Sequence, residues 1–382
     1  MIDQATIGRF KGLTTPFYYY DTTVLKEACE RVKEASERYS YKVHYAVKAN
    51  ANHRILKIIA SFGFGADCVS WNEIERALSC GFPASEIVFA GVGKTDSEIE
   101  KALRADIFCF NCESLMELEI INSCASQLGK TATLALRINP YVEAFTHKYI
   151  TTGIEESKFG ISTCELDEVL HSLSGFKNID LKGIHLHIGS QITRMSVFKS
   201  LCSRINELME YFASHDINLR MINVGGGLGI DYKHPDNQAG FQEYFSVINK
   251  FVRRYPDQVV HIEPGRSIVG QCGTLISRVL YIKKGSKTTF AVIDAGMNDL
   301  IRPALYQACH RIENLTSLGQ PRKYDVVGPV CESSDTFAKF AELPETRRGD
   351  IIAIRSAGAY GESMASRYNL RDLPGAVFSD EL

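Results

Sequence analysis

The chain has 382 residues, of which 45% are hydrophobic and 23% are charged. This composition is typical of soluble globular proteins and excludes a disordered, collagen-like or coiled-coil chain. The formal net charge is −2, and a near-neutral chain lacks the positive field that attracts nucleic acid or an anionic membrane. No apolar run is long enough to cross a bilayer, and the N-terminus lacks a signal-peptide core. We therefore expect a cytoplasmic protein with no nucleic-acid or membrane partner.

The chain contains eleven cysteines, an odd number that cannot pair completely within one chain. The one close pair, Cys109 and Cys112, has no second pair or histidine partner at zinc spacing, so we predict no metal site. For ten of the cysteines we expect buried free thiols in a reducing compartment. Cys331 is the exception, because it falls in a motif described below.

Short apolar runs, each followed by a stretch with helical periodicity, alternate along the first two thirds of the chain. This alternation predicts parallel strands with right-handed crossovers, and eight of them close into a (β/α)8 barrel. An open doubly wound sheet is the alternative, which the count of eight disfavours. Between the fifth and sixth strands, Pro140–Ile161 has no clear periodicity, and such a long irregular connection is more often functional than idle. The predicted strands are Val43–Val47, Ala66–Ser70, Glu86–Gly91, Ile107–Asn111, Ala132–Asn139, Leu181–Gly189, Leu219–Gly226 and Gln258–Gly265.

The last third of the chain has a different rhythm. After about Ser267, strands follow one another across turns with few helical stretches, which predicts a mostly antiparallel β domain. The N-terminal run TPFYYYD (Thr15–Asp21) is also strand-like and lies outside the eight, so we expect it to join that domain. The predicted organisation is a barrel domain over 26–270 and a discontinuous β domain over 1–25 and 271–382.

Reactive residues fall at the C-terminal ends of two predicted strands, where barrel enzymes place their active sites. Lys48 follows the first strand, and burial there would lower its pKa and free the amine for a Schiff base. His187 lies near the end of the sixth strand, where an imidazole can stack on a planar ring or hold a proton. Each residue alone also fits a plainer interpretation, as a surface lysine or a hydrogen-bonded core histidine.

A run of glycines, Gly225, Gly226 and Gly227, ends the seventh strand. Such a run lets backbone amides approach an anion closely. A dinucleotide fingerprint would need glycine or alanine at position 230, which is Ile230, so we predict a phosphate loop instead. A phosphate-binding loop after the seventh strand recurs in barrel enzymes, although a glycine run can also be only a tight turn.

The eighth strand ends in HIEPGRS, which places Glu263 three residues before Arg266. A glutamate there can pair with a protonated ring nitrogen, and the arginine can clamp phosphate or carboxylate. The plainer interpretation is a mutual surface ion pair. Together, the amine, imidazole, glycine loop, carboxylate and guanidinium are the set of groups that pyridoxal 5′-phosphate needs.

Six motifs, in order along the chain, resemble those of the fold-type III pyridoxal-phosphate-dependent amino-acid decarboxylases. The resemblance covers about Pro16 to Phe378 and is strongest to the members that convert meso-2,6-diaminopimelate to L-lysine and CO2. It implies a carboxy-lyase of lysine biosynthesis, an alanine racemase-like architecture and a homodimer whose subunits share their active sites. The motifs are YAVKAN, HLHIGSQ, GGGLGIDY, EPGRSIVG, GPVCESSD and GAYGESMASRYN.

The resemblance also implies roles for individual residues. Lys48 would be the Schiff-base lysine, and Cys331 would be a proton donor that each subunit contributes to the other's site. The implied cofactor-binding residues are Lys48, Asp67, His187, Ser190, Gly225, Gly226, Gly227, Glu263, Pro264, Gly265, Arg266 and Tyr360. The implied substrate-binding residues are Arg266, Arg302, Tyr306, Glu332 and Tyr360.

Arg302 is the residue that discriminates among amino-acid substrates. A site for ornithine or lysine needs an acidic residue to meet the distal ammonium of the substrate, but it needs no cationic residue there. Arg302 together with Glu332 instead suits a substrate whose distal end carries both an ammonium and a carboxylate. A structural Arg302 would leave decarboxylation of ornithine, lysine, arginine or a carboxylated polyamine open. An amino-acid racemase is disfavoured because Glu263 would keep the ring nitrogen protonated. A non-catalytic cofactor-binding regulator is disfavoured by the β domain and the CESSD segment.

Overall fold

The computed structural model describes residues 2–142 and 158–382, within which the chain forms two compact units. Most of the irregular connection predicted at Pro140–Ile161 therefore lies outside the described residues. The barrel unit comprises Cys29–Gly229 and Gly240–Gly265, and the β unit comprises Met1–Ala28, Ile230–Ala239 and Arg266–Leu382.

The N-terminal segment belongs to the β unit and begins with helix α1 (Gln4–Phe10) and strand β1 (Phe17–Tyr20). All four residues of β1 are buried. The Phe10 ring meets the rings of Phe17 and Tyr19 edge to face, with centroids 5.4 and 5.1 Å apart, a geometry that aromatic quadrupoles favour. These contacts attach the short helix to the core of its unit.

Eight parallel strands of the barrel unit form a closed barrel. Closure pairs the eighth barrel strand with the first, aligning Val43 with Ile262. The barrel predicted from the strand–helix alternation is therefore confirmed. The strands are β2 (Lys42–Ala46), β3 (Gly65–Cys68), β4 (Ile87–Phe89), β5 (Cys109–Cys112), β6 (Ala132–Arg137), β7 (Ile179–His185), β8 (Met221–Asn223) and β9 (Val259–Ile262).

Amphipathic helices connect these strands, and several begin at a side chain that accepts a hydrogen bond from the first turn. Asn52, Ser70, Thr95 and Ser114 all cap helices in this way, which satisfies otherwise unpaired amides. No helix in the described parts of the chain is long and apolar enough to cross a membrane. The helices are α2 (Thr22–Tyr39), α3 (His53–Ala60), α4 (Trp71–Ser79), α5 (Asp96–Arg104), α6 (Leu115–Gln127), α7 (Leu166–Leu173), α8 (Met195–Ser214) and α9 (Phe241–Phe251).

A pair of histidines occupies the barrel below its C-terminal mouth. His44 Nε2 lies 2.8 Å from His261 Nδ1, and both rings stack with Phe108. Burial lowers the pKa of both histidines, so the pair is neutral. His261 lies in β9 two residues before Glu263, which directly follows that strand, and residues two apart along an extended chain share one face.

The β unit contains a sheet with the strand order β12-β15-β10-β11-β13-β14, and β1 pairs with both β10 and β16. The pairs β1–β16 and β11–β13 are parallel, and the other pairings of this sheet are antiparallel within the described residues. The mostly antiparallel domain is therefore confirmed, and β1 pairs within its sheet. Its remaining elements are α10 (Arg266–Val269), β10 (Gly273–Lys284), β11 (Thr289–Ile293), α11 (Arg302–Tyr306), β12 (Ile312–Asn314), β13 (Pro321–Val327), β14 (Thr336–Pro344), β15 (Ile351–Ile354) and β16 (Gly375–Phe378).

All eleven cysteines are free, and eight of them are buried. The expectation of burial was wrong for Cys164 and Cys309, which are exposed. Cys164 lies in the 3-10 turn Thr163–Glu165, and Cys309 follows the end of α11. Both positions are in connections rather than on the apolar face of a helix or strand, where a thiol would be buried. Cys331 is exposed as well.

The close approach of β7 to β8 gives a test of the barrel packing. A Cβ atom on Gly183 would lie 2.0 Å from the backbone oxygen of Met221, so we expect Gly183→Ala to destabilise the protein by about 2 kcal/mol or more. Gly175→Ala is the matched control, because its Cβ would meet only Ser172 O, at 3.5 Å. Thermal unfolding of both variants checks this, and equal melting temperatures would contradict the packing described.

Candidate active site

Lys48 lies two residues beyond the end of β2, in the single 3-10 turn Val47–Ala49 at the C-terminal mouth of the barrel. Its Nζ donates to Oδ2 of Asp67 at 3.0 Å, and Asp67 is fully buried in β3. Burial and the nearby charge of Glu263 raise the pKa of Asp67 to about 6, against the opposing effect of Lys48. The other oxygen of Asp67 is buried without a hydrogen-bond partner. A buried carboxyl group therefore fixes the amine of Lys48 at the mouth.

Glu263, directly after β9, is held by donors from three other strands. Oε1 accepts from Nδ2 of Asn223 at 2.7 Å and from Nδ2 of Asn111 at 3.3 Å. Oε2 lies 3.1 Å from Nε2 of His185, which carries the hydrogen because a carboxylate only accepts. Residues at the ends of β5, β7 and β8 thus converge on one carboxylate.

These donors determine the charge of Glu263. Burial by itself would raise its pKa, but the charge and hydrogen bond of His185, followed by the charge of Lys48, outweigh burial, and the pKa lies well below its ordinary value of 4.5. A buried carboxylate is stable only when hydrogen bonds and opposite charge replace its hydration. We therefore infer that Glu263 is ionised inside the barrel at neutral pH.

His187 has its ring orientation fixed by the glycine run. The backbone N–H of Gly226 donates to His187 Nδ1 at 3.2 Å, so this nitrogen is unprotonated. Burial, followed by the charges of Lys48 and Arg137, lowers the pKa of His187 well below 6.5. The side chain is therefore a neutral planar ring at the mouth.

The three glycines predicted to bind phosphate do not have equivalent amides. Gly225 N–H donates to Oδ1 of Asn223 at 2.9 Å, and Gly226 N–H is used by His187. The Gly227 N–H has no hydrogen bond to any described part of the chain. A Cβ on Gly225 or Gly226 would lie 2.4 or 2.2 Å from a backbone oxygen, so the packing of the barrel also requires glycine there.

The segment between Glu263 and Arg266 passes close to the turn that carries Lys48. Pro264 O accepts from Ala46 N–H at 3.1 Å. A Cβ on Gly265 would lie 3.0 Å from the Cβ atoms of Ala46 and Ala49. Ser190, half-buried, follows β7 in the HLHIGSQ motif.

In the β unit, Arg302 begins α11 and Tyr306 ends it, and residues four apart share one face of a helix. Arg302 is 3% exposed. Its Nη1 lies 2.8 Å from Nε2 of His310, and its guanidinium carbon lies 4.7 Å from the ring centroid of Tyr232. The third nitrogen, Nε, is buried without a hydrogen-bond partner. No carboxylate within residues 2–142 or 158–382 forms an ion pair with it, so Arg302 is a buried cation whose contacts with His310 and Tyr232 are both to uncharged side chains.

Arg266 and Tyr360, also in the β unit, contact each other. The guanidinium carbon of Arg266 lies 4.8 Å from the centroid of the Tyr360 ring, within the range of a cation–π interaction. Tyr360 adopts a left-handed backbone conformation with φ of 55°, which is uncommon for a residue other than glycine. Arg266 Nη1 also donates to the hydroxyl of Tyr232 at 2.5 Å.

Cys331 and Glu332 lie in an exposed turn between β13 and β14. The buried Asp335 supports this turn, because its two oxygens accept from the N–H groups of Met297 and Val330 at 2.7 Å each. Glu332 accepts from the hydroxyls of Ser334 and Tyr368. The turn therefore presents both side chains at the surface of the chain.

Sequence reasoning missed five residues that contact Glu263 or Arg302. The sequence holds only weak signals for the side chains that donate to Glu263. These signals are the asparagines at strand ends and the strand spacing that places His185 on the inner face. Tyr232 ends the GGGLGIDY motif, but nothing in the sequence indicates that it contacts two arginines. The missed residues are Asn111, His185, Asn223, Tyr232 and His310.

Comparison with known proteins agrees with this geometry. The family model described as pyridoxal-dependent decarboxylase, pyridoxal binding domain, matches residues 23–270. The match covers the closed barrel, including Lys48 and Glu263. It assigns the chain to the class of pyridoxal-dependent decarboxylases. The predicted class and cofactor are thereby confirmed.

Individual relatives define the family more narrowly. Diaminopimelate decarboxylase from Bacteroides thetaiotaomicron is 55% identical over 98% of this chain and 98% of its own length. The enzyme of that name from Helicobacter pylori strain J99 is 43% identical over 95% of this chain and 89% of its own. A crystal structure of diaminopimelate decarboxylase from Helicobacter pylori complexed with L-lysine has a TM-score of 0.93 and 41% identity, covering 98% of this chain and 94% of that one. The chain belongs to the diaminopimelate decarboxylase family.

The charge of Glu263 can be tested through stability of the apoprotein. Because its folded pKa is below its ordinary value, ionised Glu263 stabilises the fold above a pH of about 4.5, and the stabilisation is lost as the pH falls through the folded pKa. We expect Glu263→Gln to lower the melting temperature at pH 7, by an amount that shrinks below pH 4.5.

The matched control for this experiment is Glu119→Gln, because Glu119 is exposed on α6. Its melting temperature should follow that of the wild type across the same pH range. A Glu263→Gln variant whose deficit grows on acidification would show that Glu263 is protonated in the folded barrel.

Proposed function

We propose that this chain catalyses the decarboxylation of meso-2,6-diaminopimelate to L-lysine and CO2. The observation that carries the proposal is Arg302, a buried guanidinium that no carboxylate of the described chain neutralises. A distal carboxylate on the substrate would supply the missing partner. Diaminopimelate has such a carboxylate, whereas the distal ends of ornithine and lysine carry only an ammonium. The relatives named diaminopimelate decarboxylase support the same substrate.

The barrel mouth fits pyridoxal 5′-phosphate in its donor chemistry. Lys48 offers an amine for the aldehyde, and ionised Glu263 offers a partner for a protonated pyridine nitrogen. The unused N–H of Gly227 and the hydroxyl of Ser190 offer donors for phosphate. When bound, the cofactor draws in the electron pair that the departing carboxylate leaves behind.

The chain's own residues have separate tasks in this proposal. Asp67 orients the amine of Lys48, and Glu263 holds a proton on the pyridine nitrogen. Neutral His187 presents a flat ring that stacks on the cofactor without adding charge. Arg266, which contacts Tyr360, supplies a cation for the phosphate.

We also propose that the enzyme is a homodimer in which each subunit receives Cys331 and Glu332 from the other. The exposed turn that carries them, and its support by buried Asp335, fit a segment presented to a second copy. The thiol would return a proton to the α-carbon after CO2 leaves, and Glu332 would meet the distal ammonium of the substrate. The eleven free cysteines fit a reducing compartment, which supports a cytoplasmic location.

The assignments of Lys48 and Cys331 can be tested together. Lys48→Ala should lose both turnover and the visible absorbance of covalently bound cofactor, whereas Lys42→Ala, which changes an exposed lysine beside Glu86, should keep both. Cys331→Ala should keep the absorbance and lose most turnover. Because a shared site needs one intact lysine and one intact cysteine, mixing the two inactive variants with demonstrated subunit exchange should restore part of the activity. No recovery would mean that each site is built from a single chain.

The choice of substrate is tested at Arg302. Arg302→Met should lower kcat/KM for meso-diaminopimelate about 100-fold, because an unpaired substrate carboxylate costs about 2.7 kcal/mol or more. Arg311→Met, at an exposed arginine of the same unit, is the control and should be close to wild type. CO2 release and the chirality of the lysine formed are the readouts. Unchanged kcat/KM in Arg302→Met would reopen ornithine, lysine, arginine or a carboxylated polyamine as the substrate, and an epimerised product would indicate a racemase.

A further inference from the structure

Two uncharged side chains hold the buried guanidinium of Arg302. His310 accepts a hydrogen bond from its Nη1 at 2.8 Å, and the ring of Tyr232 lies against it, with the guanidinium carbon 4.7 Å from the ring centroid. The two rings also meet edge to face, with centroids 5.0 Å apart. Arg302 is thus fixed from two directions within the β unit.

The protonation of His310 follows from its other contact. His310 Nδ1 lies 2.9 Å from the backbone oxygen of Arg355, and a carbonyl oxygen can only accept, so Nδ1 carries the ring hydrogen. Nε2 of the neutral ring is then free to accept from Arg302. Burial, with the charge of Arg302, lowers the pKa of His310 to about 3, so the ring remains an acceptor at neutral pH.

Tyr232 contacts a second arginine through its hydroxyl. That hydroxyl accepts from Arg266 Nη1 at 2.5 Å, while the face of its ring lies against Arg302. Such contacts fix a guanidinium through stacking and one directional hydrogen bond. Neither His310 nor Tyr232 brings a negative charge, so Arg302 keeps its full attraction for an anion.

We propose that His310 and Tyr232 are positioning residues that aim Arg302 at the distal carboxylate of the substrate without neutralising it. A carboxylate in place of either side chain would hold the guanidinium equally well but would compete with the substrate. A purely apolar pair would leave the orientation of the guanidinium undetermined. The inference rests on the proposed function, because it requires that Arg302 meets a carboxylate.

The test compares two ligands that differ only in that carboxylate. L-lysine, the product, keeps the carboxylate of the distal centre, and 1,5-diaminopentane is the same molecule without it. Their inhibition constants against meso-diaminopimelate are measured with the cofactor-loaded enzyme, and the ratio of the two constants reports the carboxylate contact. A general loss of folding or of cofactor moves both constants together and leaves the ratio unchanged.

The variants at position 310 separate the acceptor from the shape of the ring. His310→Phe keeps an aromatic ring without an acceptor, and it should reduce the preference for L-lysine about tenfold, with a larger rise in KM than fall in kcat. His310→Gln retains an acceptor and should restore the preference to within about twofold of wild type. The visible absorbance of the bound cofactor should be unchanged in both, and His171→Gln, at an exposed histidine of α7, is the control.

Failure of this inference and failure of the proposed function are distinguishable through Arg302→Met. If Arg302→Met removes the preference for L-lysine but folded His310→Phe does not, the positioning role is overturned and the substrate assignment stands. If Arg302→Met also leaves the preference intact, the proposed function itself is wrong. If His310→Phe does not fold, the test moves to Tyr232. Tyr232→Leu is then expected to reduce the preference for L-lysine over 1,5-diaminopentane, and Tyr232→Phe is expected to keep it. Equal preferences in these two variants would overturn the inference.

Discussion

A single ionised carboxylate inside the barrel, that of Glu263, is the interaction on which the rest of the site depends. A charge removed from water is tolerated only when donors replace its hydration, and here His185, Asn111 and Asn223 supply them. These donors stand at the ends of three different strands. Strand register therefore has a chemical consequence in this barrel, because a shift of one residue would turn a donor away from the carboxylate. Burial, followed by this same charge, raises the pKa of Asp67, which in turn holds the amine of Lys48.

The β unit handles a buried charge in the opposite way. Arg302 is as deeply buried as Glu263, yet its partners are a neutral imidazole and a tyrosine ring instead of a carboxylate. Glu263 is satisfied within the chain, by hydrogen bonds from His185, Asn111 and Asn223. Arg302 has no carboxylate partner within the described residues, and its Nε is buried without a hydrogen bond. This difference is the one that the proposed function requires, in which Glu263 tunes the cofactor and Arg302 selects the substrate.

The sequence predicted those features that depend on local pattern. The eight barrel strands follow from the alternation of apolar runs and helical stretches, and TPFYYYD followed by β10 forms the expected pairing. The positions of Lys48 and Glu263 at the C-terminal ends of strands could also be predicted, because strand ends are visible in the sequence. Local pattern does not specify which side chains meet across a barrel. The contacts of Asn223 with Glu263 and of Tyr232 with two arginines therefore became visible only in the folded chain. The same limit applies to Cys164 and Cys309. Free cysteine is a residue type that is usually buried, but the connections that carry these two leave them exposed.

The charge of Glu263 can be observed directly by isotope-edited infrared spectroscopy. Protein carrying 13C-labelled glutamate carboxyls is compared with the equally labelled Glu263→Gln variant, so that the difference spectrum isolates one carboxyl group. The account predicts the carboxylate bands of Glu263 throughout the range from pH 5 to 8, with no protonated carbonyl band. A carbonyl band that appears and titrates within that range would contradict it, because the barrel would then hold a neutral acid that cannot keep a proton on the cofactor ring.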